Sequence, residues 1–351
     1  MTDSKTGMLD TISKYRTQIM GFAAIWIFIF HVRDEILLFS GIPVLTQIEI
    51  YCDNIGFCGV DIFLFLSGWG IYHAINKHDI ATFYKRRYRR LILPLLVVWG
   101  IKSIYADWGL IRSIKAITGW TFLTRYVHEP IWFIYAISLI YLFFPLYRKA
   151  FDRFSNKYIF TAAAILLWFA LAFAGAVLTN RSDIYLFINR LPVFMIGVLF
   201  GWLTLNGKKD LHGSFRIVLI VMLVAGLVIQ YFATFRRMDF LLPQSRNGLP
   251  ALLIGIPMCF IAAQVFKLLD RVTVIQKIYG FFGKMTLEFY ACQDISLKIL
   301  KEQTYFSGIN INKYLYTLLI FLFSFGGGYL LHIITDAITK KLDGKPVFTK
   351  K

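Results

Sequence analysis

Two apolar stretches carry side chains suited to proton chemistry. The run QIMGFAAIWIFIFHVRDE ends near His31, its only titratable residue before the charged boundary. Imidazole exchanges protons near neutral pH, so a histidine embedded in a membrane site is a natural general base; the plainer alternative is an interfacial histidine hydrogen-bonded to a neighbour. The run GFCGVDIFLFLSGWGIY holds Asp61. A charge within a membrane span costs ~2.5–3.5 kcal/mol on insertion scales, which makes it a functional-site candidate by default. On an antiparallel neighbour of the first span, Asp61 falls roughly one or two turns deeper than His31, at ~1.5 Å per residue. A carboxylate at that level can orient an imidazole and stabilise its cation. Arg190, at a similar depth in DIYLFINRLPVFMIGVLFGWL, offers it a structural ion pair instead.

Ser67, Gly68 and Gly70 read first as small residues for close helix approach, since no GxSxG turn marks Ser67 as a nucleophile. Glu288, in GKMTLEFYACQD, is a second carboxylate in an apolar setting, either a site residue or the partner of another buried polar group. Five of the six residues from Lys85 to Arg90 are basic. Such clusters anchor the cytoplasmic ends of helices. Arg87 and Arg90, or Arg86 and Arg89, also share a face one turn apart just before Pro94, which suits bidentate capture of phosphate from anionic lipid or from a donor such as coenzyme A.

The elements that must position these residues are membrane helices. With 351 residues, 58% hydrophobic and 17% charged, and a mean hydropathy of +0.62, the chain is too apolar for a soluble domain. Ten windows approach span length, at 18–33, 55–75, 91–107, 131–147, 158–179, 184–205, 216–233, 249–269, 279–299 and 314–336. An all-α bundle of about ten spans is therefore expected, as one domain over 1–351, with 1–17 a cytoplasmic segment and 337–351 a basic cytoplasmic tail. Of the 38 Lys and Arg residues, 25 fall on the side of the N-terminus, which places both termini in the cytoplasm. This bias accounts for most of the net charge of +18, so nucleic acid is not needed as a partner. No cleavable leader is visible, and Cys52, Cys58, Cys259 and Cys292 show no zinc spacing. A disulfide between Cys52 and Cys58 is open. The outer links 34–54, 108–130 and 234–248 are longer than turns require; the last carries Arg236, Arg237 and Arg246.

In this order, FIFHV, GVDIFLFLSGWGIY, FYKRRYRRLILP, WFIYAISLIYLFFP (opening on Trp132), NRLPVFMIGVLFG and FGKMTLEFY resemble the membrane-bound acyltransferase-3 family, which includes bacterial O-antigen and exopolysaccharide O-acetylases. The resemblance implies a multi-pass protein of the cytoplasmic membrane that moves an acyl group, usually acetyl, from acetyl-coenzyme A to a hydroxyl of a cell-envelope polysaccharide or lipid-linked glycan. Carried over, His31 is the catalytic histidine and Asp61 the acid of the second helix. Arg87 and Arg90, with Arg86 and Arg16, bind the acyl donor, while Ser67, Arg190, Glu288 and Trp132 support site or substrate. No metal or tightly bound cofactor is implied; membrane lipids and a second copy of the chain are further partners. The chain departs from the family twice: Met20 stands where relatives carry an arginine, and Gln293 where many carry a histidine. The alternative on the same scaffold is a polysaccharide exporter.

Overall fold

In hydrocarbon every backbone N–H must find its acceptor within its own segment, so long Leu-, Ile-, Val-, Phe- and Ala-rich runs fold as helices. The structure, a computed structural model, describes residues 7–33, 39, 41–105, 109–124, 132–178, 187–238, 247–306 and 312–343. Among these there is no strand. The helices are α1 (Met8–Lys14), α2 (Arg16–Val32), α3 (Pro43–Ile55), α4 (Gly59–Ile75), α5 (Ile80–Tyr105), α6 (Leu110–Ile117), α7 (Trp120–Thr124), α8 (Trp132–Arg153), α9 (Lys157–Leu178), α10 (Leu191–Leu205), α11 (Ser214–Phe235), α12 (Gly248–Leu268), α13 (Thr273–Lys284), α14 (Thr286–Phe306) and α15 (Lys313–Leu342). A single 3-10 turn, Gly56–Cys58, joins α3 to α4. Parts of the three long links 34–54, 108–130 and 234–248, Arg246 among them, and the tail from 344 onward lie outside the described residues.

Most of the expected spans fall on helices, but 279–299 is broken at Met285 between α13 and α14, and fewer helices are both long and apolar enough to cross a membrane. Among the described residues six qualify: Pro43–Ile75, α8, Lys157–Gly175 of α9, α11, α12 and Tyr314–Leu342 of α15; α1 and α2, bent by 71° at Tyr15, make a seventh if they act together. The rest fall short for visible reasons. Helix α10 has 15 residues, against the ~20 that a bilayer core requires, and α5 and α14 carry several charges. The molecule is a multi-pass, all-helical membrane protein.

The contacts divide the chain into two compact units. The first comprises Met1–Arg33, Leu37–Ile80 and Phe143–Lys284. Its most extensive helix pair is α4 with α10, and small residues make the approach possible. A Cβ at Gly68 would land on the Phe194 carbonyl oxygen and one at Gly197 on that of Phe65, while one at Gly201 would stand 2.6 Å from the Trp69 oxygen. Helices α2 and α13 cross in the same way, at Gly21 and Gly283. Phe65, Trp69, Phe200, Phe215 and Phe260 fill the space beside this seam with edge-on ring pairs. Thr204 closes it with hydrogen bonds to Trp69 Nε1 at 2.9 Å and to the His73 ring at 2.8 Å.

The second unit comprises Asp34–Ile36, Ala81–Leu142 and Met285–Lys351. Here α14 packs along α15, with Gly328 placed where a Cβ would stand 2.8 Å from Phe289 Cα. Gly119 takes φ +74° in the turn from α6 to α7, a conformation that glycine adopts without steric cost. Tyr135 lies against that turn and donates to the Ala116 carbonyl at 2.7 Å.

Candidate active site

In the first unit the C-terminal end of α2 lies against the 3-10 turn. The Gly56 backbone sits where a Cβ would be 2.5 Å from the Trp26 oxygen, and Gly59 where it would be 2.7 Å from the Ala23 oxygen. His31, in the last turn of α2, is half-buried, with its ring 5.5 Å from that of Phe30, which in turn meets Phe57 at 6.0 Å. Asp61 begins α4 and is fully buried. Its Oδ2 accepts from Arg190 Nη1 at 2.9 Å, and the same nitrogen donates to the Phe57 carbonyl at 3.3 Å. Arg190 precedes α10, and the tight α4–α10 seam therefore delivers its guanidinium to Asp61. On the other side α12 approaches closely, a Cβ at Gly255 standing 2.5 Å from Asp61 Cβ.

Asp61 makes the ion pair with Arg190 that its setting in the sequence offers. No hydrogen bond joins Asp61 to His31, and Asp61 Oδ1 is buried with no hydrogen-bond partner among the described residues. Arg16, at the start of α2, donates from Nη2 to the Leu66 carbonyl at 2.6 Å. Gly70 gives it room, since a Cβ there would meet the guanidinium, so Gly70 serves an arginine rather than a helix backbone. Ser67 is half-buried on α4.

The second unit holds the remaining candidates. Helix α5 presents Arg86 and Arg90 exposed and Arg87 half-buried, the last with its guanidinium 5.5 Å from the centre of the Tyr141 ring. Arg89 pairs with Asp343. Tyr84 and Tyr88 donate to the carbonyls of Leu142 and Ser138, both at 2.8 Å, which fixes the helix face that the arginines share. Pro94 has no N–H for the Arg90 carbonyl one turn back. Trp132 opens α8 half-buried, edge-on to Phe133, which meets Tyr290 the same way. Glu288 is buried on α14, where Oε1 accepts from Thr335 Oγ1 at 3.3 Å and faces His332 Nδ1 at 3.2 Å.

Two features of this unit are not singled out by the sequence alone. Lys102 and Asp294 form an ion pair with both side chains 4% exposed, and Lys102 also stands 4.8 Å from the Trp99 ring. His332 supplies Glu288 with its imidazole partner. The available signal is a lone ionisable residue in an apolar run, LLVVWGIKSIY for Lys102 and GGYLLHIITD for His332. Lys102 near a span end reads as a boundary charge, which masks it. Among the described residues no group of three or more His, Cys, Asp or Glu side chains is placed to hold a metal ion, and all four cysteines are free thiols.

A sequence model of the acyltransferase domain matches residues 19–333, nine-tenths of the chain. The protein belongs to the acyltransferase-3 family. No curated protein and no solved structure matches it. As an acyltransferase of a membrane family, it must bring an activated acyl group to a nucleophile within a helical bundle.

Proposed function

We propose that the protein is an integral membrane O-acyltransferase that moves an acyl group, acetyl in the simplest case, from acyl-coenzyme A to a hydroxyl of an envelope polysaccharide or lipid-linked glycan. The observation that carries this reading is the acyltransferase match over residues 19–333, with His31 half-buried at the end of α2. His31 takes the proton of the acceptor hydroxyl as its oxygen attacks the thioester carbon; the new C–O bond forms, the C–S bond breaks, and the thiolate leaves with a proton as coenzyme A thiol. Arg87 and Arg90 bind the donor phosphates: they stand one turn apart, and neither makes an ion pair with another described residue. Arg86 and Arg16 add to donor binding. Asp61 acts by support, fixing the first turn of α4 through Arg190 beside the Phe57 turn against which the Phe30–His31 ring pair lies. Ser67 in the first unit, and Trp132 and Glu288 in the second, support the transfer or bind its substrate, in the membrane that encloses the cytoplasm.

The test is transfer by the purified protein. Reconstituted in nanodiscs with acetyl-coenzyme A labelled in the acetyl group and a panel of envelope glycans, it should produce an alkali-labile glycan ester. Excess free coenzyme A should compete, and Arg87→Gln with Arg90→Gln should raise KM for the donor more than it lowers kcat. Absence of labelled glycan ester with every acceptor would overturn the proposal.

A further inference from the structure

The first unit contains a cavity of about 560 Å³ that acyl transfer does not use, within the span of roughly 300–1,000 Å³ typical of small-molecule sites. It follows from how α11 and α12 pack. The two helices meet closely at Gly226, where a Cβ would stand 2.7 Å from Ile254 Cγ1 and 2.9 Å from Leu253 Cβ. Nearer Ser214 and Leu268 they leave a gap, walled by Ile220 and Leu223 on α11 and by Phe260 and Ile261 on α12. The gap opens sideways: Ile220 is 61% exposed and Ile261 40%, and only 22% of the apolar window of α11 is covered by protein. In a membrane protein this lateral face is where acyl chains lie.

One end of the cavity is charged. Arg216 and Lys267 line it, and neither side chain makes an ion pair or hydrogen bond with another described residue. Asp210 lines it too, but its Oδ1 already accepts from the backbone N–H groups of Met8 at 3.1 Å and Leu211 at 2.9 Å. The Met8 N–H first, then the Leu211 N–H and after it the nearby Arg216 and Lys267, hold that carboxyl below its ordinary range. Two cations against one committed carboxylate leave a surplus of positive charge at the end of an apolar slot. A free phosphate would meet only the charged end, and a zwitterionic headgroup would gain little from the surplus.

We propose that this cavity binds an anionic glycerophospholipid, its phosphate between Arg216 and Lys267 and one acyl chain along Ile220, Leu223 and Ile261. Surface cations contribute about 1 kcal/mol each to binding acidic lipid, so removing both should weaken it roughly tenfold or more. The experiment is native mass spectrometry of the full chain, released from detergent with equimolar phosphatidylglycerol, phosphatidylethanolamine and phosphatidylcholine of identical chains. One phosphatidylglycerol per chain should be retained in preference to the other two lipids. R216Q combined with K267Q should reduce retention at least about tenfold, and I261W, which fills the slot without touching the cations, should also lose the lipid, both with unchanged helical circular dichroism. Excess inorganic phosphate should not displace it. Equal retention of the three lipids, a preference for phosphatidylethanolamine, displacement by inorganic phosphate, or full retention in I261W would each overturn the proposal.

Discussion

At the residue scale the interior is organised by ionisable side chains paired across long stretches of sequence. Asp61 and Arg190 are 129 residues apart, and Glu288 and His332 are 44 apart. Asp61 and Glu288 are legible in the sequence as lone carboxylates in apolar runs. Their partners are legible only as possibilities, because hydropathy shows that a helix is buried but not which helix it faces. Breaking the first pair should be costly: Asp61→Asn leaves a buried guanidinium without its counter-ion and should destabilise the fold by about 3–5 kcal/mol, whereas Asp61→Leu with Arg190→Met should recover much of that loss. Thermal unfolding of the single and double variants in detergent measures the coupling, and additive losses would show that the pair contributes nothing as a pair. A second expectation concerns Asp210. Its carboxyl is held below the ordinary range chiefly by the Met8 N–H, so the stability it lends to α1 is fully present above the unfolded carboxyl pKa of ~3.9 and is lost as pH falls through its lower folded value. Amide exchange across Met8–Lys14, corrected for intrinsic rate, should stay slow at pH 5 and rise only below about pH 4. In Asp210→Asn that pH dependence should vanish.

At the element scale the helices follow closely from apolar runs and the close crossings from small residues. Gly68 was legible as a packing position, and it is one. Gly70 was not separable from it by type or spacing, yet it accommodates Arg16. The bend between α1 and α2 was also hidden: MLDTISK is short and mixed in polarity, and only its packing, with Leu9 and Ile12 at 0% and 1% exposure, identifies it as a helix. Glycine substitutions separate packing from propensity. Gly197→Ala places a methyl on the Phe65 carbonyl and should cost about 1–3 kcal/mol through overpacking of the α4–α10 seam. Gly100→Ala, inside α5 with open space around it, should be neutral or stabilise by up to about 1 kcal/mol. Equal melting temperatures for the two variants would mean that the seam does not depend on backbone contact.

At the scale of the whole molecule, composition alone identifies a multi-pass helical protein, and the ordered set of weak motifs identifies the family. The number of crossings is less legible, because a helix that carries function must also carry charge. Helix α5 holds the arginine cluster and the buried Lys102, and α14 holds Glu288 and Asp294, so the segments that bear candidate chemistry are the ones that hydropathy treats as marginal. Two compact units, one bearing His31, Asp61 and Arg190 and the other Arg87, Arg90 and Glu288, divide the candidate residues between them. The proposed roles divide in a similar way: proton removal in the first unit, which also holds Arg16, and donor phosphate binding by Arg86, Arg87 and Arg90 in the second. In the proposed mechanism, His31 is the base for acyl transfer. The direct measurement is the rate of labelled acetyl transfer to glycan by wild type and by His31→Ala at matched folded protein and saturating acetyl-coenzyme A. The expected result is a loss of turnover of about 10²-fold or more, with donor binding retained. Turnover within a few-fold of wild type, or glycan export that persists with no ester formed by either protein, would contradict it.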